Sequence, residues 1–281
     1  MFSGFHKETL VELPKTTIGG YEVTRLMCGS NSFFGYSHIS AARDAWIRRV
    51  YTDELITEVM VAGAKKGINC FISGPLPRFV KIREAIEKQT GVHTVWFATP
   101  GGKDLEELKE GIRATADLGA EFCMPHTCWT EAYLDVASME IRGYPEAAEL
   151  IRQLGMVPGL SNHRPESLRV CVKQNYDCAT LTLPFNSDGF LCSVETDWTA
   201  RLIQECPIPI ISIKPLGSGR IQPPTGFSFV YQHIKPTDTV AVGVLSVEEI
   251  EEDVKLALQY MTGVSANVDM TMSRSKAALV K

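Results

Sequence analysis

Eight short apolar runs, separated by stretches of helical periodicity, constrain this chain more than any other feature of its sequence. They are YEVTRLMCG (21–29), INCFISG (68–74), HTVWFAT (93–99), AEFCMPH (120–126), MVPGLSN (156–162), CATLTLPF (178–185), PIPIISIK (207–214) and TVAVGVLS (239–246). Each is nearly continuous in hydrophobicity rather than alternating, the pattern of a strand covered on both faces in a parallel sheet.

The intervening segments carry helix punctuation. TDELITEVMVAGAKKG (52–67) has Thr52 as an N-cap, an acidic first turn and a closing Gly67. Asp104 opens a second such helix that ends at Gly119, and Ser246 opens a third that ends at Gly263. Further helices are predicted over 79–89, 144–155, 165–174, 196–205 and, from a fainter pattern, 223–234.

Strands alternating with helices leave an open doubly wound sheet or a closed barrel. No GxGxxG turn follows the first strand; Gly29-Ser30-Asn31 leads instead into a long loop to residue 51, with a short helix expected near 41–50. The fold predicted is therefore α/β, a (β/α)8 TIM barrel with a long first βα loop. In such barrels the βα loops build the active-site face, so this loop should cover or line the pocket.

With 281 residues, 44% of them hydrophobic and 22% charged, the chain can bury a large core, and one domain over 1–281 is expected. The net charge of -5, with no run of basic residues longer than two, argues against nucleic acid as a partner. No apolar run reaches the ~20 residues of a membrane span, and MFSGFHKETLVELPK lacks the apolar core of a secretory signal. A cytoplasmic protein with a small-molecule partner and no membrane association is expected. Among the eight cysteines, Cys28, Cys70, Cys123, Cys178 and Cys206 lie in or beside apolar runs and read as buried small hydrophobes rather than disulfide partners.

At the carboxyl ends of the predicted strands lie Cys28, Asn31, Ser73, Thr99, His126, Cys128, Asn162, His163, Asn186 and Lys214. His126 and His163 end neighbouring strands and could face one pocket. With Cys128 or Cys28 they could hold a divalent metal, though the spacing fits no closed zinc motif and no metal site is expected. The blander reading is a pair of hydrogen-bonding histidines. Lys214 ends a buried strand, where desolvation would suit an amine to Schiff-base or general-base work. Arg43, Arg48 and Arg49 could clamp an acidic substrate, but a solvated helical face explains them as well.

Several segments match one family in order. LVELPKTTIGGYEVTRLMCGSN (10–31) resembles the amino-terminal hairpin and first barrel strand of the aldo-keto reductases, which places a hairpin at 9–20. GAKKGINCFIS, GLSNHRPESL, ISIKPLGSGRI and VAVGVLSVEEIEED resemble the second, fifth, seventh and eighth strand regions of that family. The resemblance implies hydride transfer between a nicotinamide and a carbonyl, with a Tyr proton donor tuned by Asp and Lys and a His that orients substrate. Here Ile72 stands where the family has Asp, no Tyr occurs in 74–79, and the third strand ends Ala98-Thr99-Pro100 rather than in Lys. Only His126 is kept.

The resemblance also implies a cofactor site. Ser161 and Asn162 would hold the nicotinamide carboxamide, Leu216, Gly217, Ser218 and Gly219 would approach the pyrophosphate, and Gly29, Ser30 and Thr182 would line the remainder. Thr182 replaces the family's Gln, and Ile213 lies where an aromatic usually stacks. The turn at 243–247 has no Lys or Arg for a 2′-phosphate, so NAD is expected over NADP.

The leading expectation is an NAD-binding oxidoreductase acting on a small carbonyl or sugar-like substrate through His126. The alternatives are a cofactor-free or metal-assisted lyase, isomerase or hydrolase using His126, His163 and Lys214, and a non-catalytic binding protein.

Overall fold

The apolar run 21–29 forms two strands, and the break between them sets the bottom of the molecule. The computed structural model of the protein describes residues 12–268. Strands β1 (Lys15–Ile18) and β2 (Tyr21–Thr24) pair antiparallel, and β3 (Leu26–Gly29) begins the barrel. The chain is pinned between them: Arg25 N–H donates to Pro14 O at 2.9 Å, and its guanidinium donates to Asp238 O and Lys235 O, each at 3.0 Å. The hairpin thus occupies 15–24 rather than 9–20, and residues 9–11 lie outside the described residues. Its tip enters the barrel. Gly19 has a left-handed φ of 55°, and a Cβ there would stand 2.6 Å from Val157 Cγ1, so a side chain is excluded both by conformation and by space.

The chain then runs α1 (Ala41–Val50), α2 (Asp53–Lys65), β4 (Cys70–Ser73), α3 (Arg78–Thr90), β5 (Val95–Ala98), α4 (Leu105–Asp117), β6 (Phe122–Cys123), α5 (Thr127–Tyr133), β7 (Leu134–Asp135), β8 (Glu140–Ile141) and α6 (Tyr144–Gln153). It continues through β9 (Val157–Pro158), α7 (Glu166–Gln174), β10 (Leu181–Pro184), α8 (Thr196–Glu205), β11 (Ile210–Ile213), α9 (Pro223–His233), β12 (Thr239–Gly243) and α10 (Val247–Thr262). Eight parallel strands lie in the order β10-β11-β12-β3-β4-β5-β6-β9. A parallel bridge from Leu160 to Leu181 joins the two ends of that order, with Leu160 N donating to Thr180 O at 3.0 Å and Thr182 N to Leu160 O at 2.9 Å. This is the expected (β/α)8 barrel.

The predicted caps hold the helices. Thr52, Asp104 and Ser246 each accept from the backbone N–H three residues on, satisfying a donor that the helix leaves open. The 223–234 segment is helical, with Pro at its first turn, where a missing N–H costs nothing. The short helix α5 and the β7–β8 hairpin are additions on the βα side that the apolar pattern does not announce.

Met27, Cys70, Phe97, Phe122, Met124, Ile211 and Ala241 fill the lumen together with Ile18 and Val23 of the hairpin. Phe97 and Phe122 stack with centroids 4.1 Å apart. The interior is thus a packed core closed from below, and chemistry is confined to the carboxyl mouth. Among the described residues no helix is long and apolar enough to cross a membrane. All eight cysteines are unpaired, six of them buried.

Candidate functional site

His126 stands at the end of β6, where the strand hands over to α5. Its N–H donates to Pro100 O at 2.8 Å, and its Nδ1 accepts from Cys128 N at 3.3 Å, capping α5. With Nδ1 an acceptor, the neutral ring carries its proton on Nε2, which is left to donate elsewhere. Burial lowers the pKa of His126; Glu131 opposes this and Lys214 adds to it. At pH 7 the ring is neutral.

His163 follows the fifth barrel strand. Its N–H donates to Glu131 Oε1 at 2.7 Å, the oxygen that also accepts from Thr127 Oγ1 at 2.9 Å. Glu131, on α5, therefore ties the two histidine-bearing loops together. The His163 pKa falls to about 4, chiefly through burial, then through the charge of Lys214 and the nearby His126 and His38.

Lys214 follows β11 directly, with a left-handed φ of 61° that is unusual for a residue other than glycine, and precedes Pro215. Gly217 N–H donates to its carbonyl at 3.0 Å and closes the turn. Among the described residues no carboxylate lies within ion-pair reach of its ammonium, and burial lowers its pKa. His38, His126, His163 and Lys214 lie in the first, fourth, fifth and seventh βα connections, at the carboxyl end of the barrel; burial lowers the pKa of each histidine and the Lys214 charge adds to it.

The first βα loop closes over this cluster. It is anchored on one side where Ser32 Oγ donates to Val244 O at 2.7 Å and Tyr51 OH donates to Leu245 O, and on the other where Phe34 meets Phe79 edge-on at 5.8 Å. Its far end reaches across: Arg220 Nη2 donates to His38 O at 3.0 Å, Arg220 lies 4.2 Å over the Phe190 ring, and His38 meets Phe190 at 5.9 Å. The loop thus covers the mouth as its position in the sequence predicts. Arg43 packs on Trp46 and Arg48 donates to Gly35 O at 3.3 Å; these two serve the loop itself.

The residues expected to hold a dinucleotide are differently employed. Asn162 is fully buried: its Nδ2 donates to Thr182 O at 2.7 Å, its Oδ1 accepts from Ser167 Oγ at 2.7 Å, and its N–H donates to Thr182 Oγ1 at 3.0 Å. Thr182 Oγ1 also lies 3.4 Å from Ser161 Oγ. Asn162 and Thr182 therefore lock β9 to β10 and present no amide or hydroxyl to a ligand, a correction to their expected role. Gly29 allows close strand approach, since a Cβ there would lie 3.2 Å from Val242 O. Ser30 Oγ is buried without a hydrogen-bond partner. In the turn Leu216–Gly219, Gly219 N and Ile221 N both donate to Leu216 O, and Arg220 Nη1 donates to Gly217 O at 3.0 Å. At the start of α10, Glu249 Oε2 accepts from Leu245 N at 2.6 Å, placing a carboxylate where a phosphate would need that donor. As arranged, these residues do not fit a dinucleotide.

The metal alternative fails on placement. Cys28 packs among Val59, Met60 and Ile250 on the helix side of β3, and burial pushes its thiol up to about 12. Cys128 is exposed. Among the described residues no three His, Cys, Asp or Glu side chains converge. Ser73 and Asn186 are structural: Ser73 Oγ accepts from Trp96 Nε1 at 2.7 Å, and Asn186 brackets Phe190 through its amide at 2.8 and 2.9 Å. Glu131 and Phe190 are site residues that the strand-end pattern misses, because neither ends a strand.

No protein-family model and no curated protein matches the sequence. Solved structures do match. A Pseudomonas aeruginosa protein assigned to the aldo-keto reductases superimposes with a TM-score of 0.68 at 16% identity, covering 91% of this chain and 100% of that one. The glycerol dehydrogenase of Gluconobacter oxydans gives 0.54 at 11% identity, covering 92% and 99%. The ribulose-1,5-bisphosphate carboxylase/oxygenase of Pyrococcus horikoshii gives 0.56 at 11%, covering 88% of this chain but 60% of that one. The barrel is thus shared widely, and end-to-end correspondence is found with the reductase structures and also with the BexX/CysO complex of Amycolatopsis orientalis, at a TM-score of 0.57 and 18% identity, covering 92% of this chain and 100% of that one. The chain has the aldo-keto reductase fold.

Proposed function

We propose that the protein is an enzyme acting on a small carbonyl or sugar-like compound at the carboxyl mouth of the barrel. The observation that carries this reading is the placement of His126, His163 and Lys214 in the fourth, fifth and seventh βα connections, at the one end of the barrel where chemistry is confined. His126 Nε2–H is set to donate to a carbonyl oxygen, because Nδ1 is already committed to Cys128 N. His163, neutral at pH 7, accepts a proton. The fold is one whose relatives include a glycerol dehydrogenase, an analogy in favour of a polyol or carbonyl substrate. The residues suit proton transfer, addition or isomerisation better than hydride transfer, since Ile72, Ala98 and the segment 74–79 supply none of the groups that would tune a proton-donating tyrosine.

The NAD-dependent reading keeps one support, a fold shared with a glycerol dehydrogenase. A bound nicotinamide would supply hydride. The two readings part in one assay, in which short aldehydes, ketones, aldoses and ketoses are each followed by NMR with and without NADH. Consumption or isomerisation without NADH is the expected result, and turnover that requires NADH would replace it with the redox reading. A cytoplasmic location for this activity accords with eight unpaired thiols.

A further inference from the structure

We propose that Lys214 Nζ is the point at which the substrate carbonyl is covalently held, as an imine. This rests on the carbonyl-directed reading above and specifies its chemistry. Position is the first support. Lys214 follows a barrel strand at the face where this fold builds its sites, whereas Lys15, Lys66, Lys103, Lys109 and Lys235 sit in ion pairs with Glu or Asp and Lys65, Lys81, Lys88, Lys173 and Lys255, without ion pairs, are exposed where Lys214 is half-buried. A paired ammonium is held in its protonated form; among the described residues Lys214 has no such partner, and only the free amine is a nucleophile.

Backbone strain is the second support. The left-handed φ of 61° at a non-glycine residue before proline costs on the order of 1–3 kcal/mol, and such outliers persist where they aim a functional group. Gly217 N–H on Lys214 O and the Arg220 contacts to Gly217 O and His38 O hold that turn in place. The third support is the company: His126 and His163 lie in two other βα connections at the same end of the barrel, both neutral at pH 7 and both within the field of the Lys214 charge, and among the described residues no carboxylate pairs with the amine.

The step balances within these groups. The Nζ lone pair adds to the carbonyl carbon, a C–N bond forms, and the C=O π pair moves to oxygen, which accepts a hydrogen bond from His126 Nε2–H. The nitrogen gives up a proton to His163, which passes it to that oxygen and is neutral again. The resulting hydroxyl then leaves as water with the nitrogen's second proton, carried the same way by His163, and the nitrogen lone pair closes the C=N bond. No oxidant or reductant is consumed, and hydrolysis reverses the sequence.

The test is reductive trapping with dihydroxyacetone and sodium cyanoborohydride at pH 7, read by intact mass and peptide mapping. The expected result is one adduct per chain, on the peptide containing Lys214, absent from a folded Lys214→Arg protein and forming roughly a hundredfold more slowly in His126→Ala. Adducts spread over surface lysines, or undiminished in Lys214→Arg, would overturn the proposal. Histidine NMR signals recorded during the same titration separate the two levels of the account. Shifts at His126 and His163 without a Lys214 adduct would remove the imine and leave the carbonyl site standing, whereas neither shifts nor adduct would remove both.

Discussion

The properties of His163 are set less by His163 than by its neighbours. Its pKa of about 4 reflects burial first and the Lys214 charge second, so Lys214→Met should raise it, because removing a nearby cation favours the protonated ring. NMR titration of the ring protons checks this; an unchanged value would mean that the two side chains are not neighbours. The same shift makes stability depend on pH. The folded ring stays neutral while the unfolded one takes up a proton below 6.5, so stability is lost as pH falls from about 6.5 toward 4. Asp253 behaves in the opposite sense. Buried in α10 beside Glu249 and Glu252, its carboxyl is held well above 3.8, so stability falls as pH rises past 3.8, when the unfolded chain ionises and the folded one resists. Asp253→Asn should therefore stabilise at pH 7 by about 1–2 kcal/mol, a rise of roughly 2–6 °C in Tm, and should have little effect near pH 3. A further residue-scale expectation concerns activity. His126→Ala should cost roughly a hundredfold in turnover, whereas a tyrosine placed within 74–79 should restore no reductase activity, since it would arrive without its acid and lysine.

Elements respond to constraints that single positions do not reveal. Gly19→Val should destabilise by several kcal/mol, because φ 55° and a 2.6 Å approach to Val157 both oppose it; thermal unfolding measures the loss, and a Tm within 2 °C of the parent would contradict the plugged-barrel account. The first loop is tethered at its far end by Arg220 and Phe190, so Arg220→Ala should speed hydrogen exchange over 36–40 while leaving the barrel strands unchanged. These cases also mark what the sequence discloses. Strand count, helix caps at Thr52, Asp104 and Ser246, and the position of the long loop are legible because periodicity and capping are local signals. The split at Arg25 is not, since it depends on carbonyls of Lys235 and Asp238, more than 200 residues away. His126, His163 and Lys214 are legible as polar strand ends. Glu131 and the sequestration of Asn162 are not, because a Ser-Asn pair at a strand end reads the same whether its amide faces a ligand or the next strand.

At the scale of the whole molecule, a barrel shared with aldo-keto reductases carries a mouth stocked with other residues. Glu249 on Leu245 N and the absence of a basic residue from 243–247 predict that NADPH binds no better than NADH, as tryptophan quenching during titration would measure; clearly tighter NADPH would mean that Arg220 or Lys255 reaches the cofactor. The central claim is that His126, His163 and Lys214 form one site for a carbonyl compound. It is tested most directly by the histidine NMR spectrum of the protein titrated with dihydroxyacetone, beside that of the His126→Ala protein. The account predicts saturable shifts at His163 in the parent, with none at His93 or His233 on the barrel's other faces, and binding weakened at least tenfold by the substitution, about 1.4 kcal/mol. Shifts at His93 or His233 alone, or equal affinity in both proteins, would contradict it.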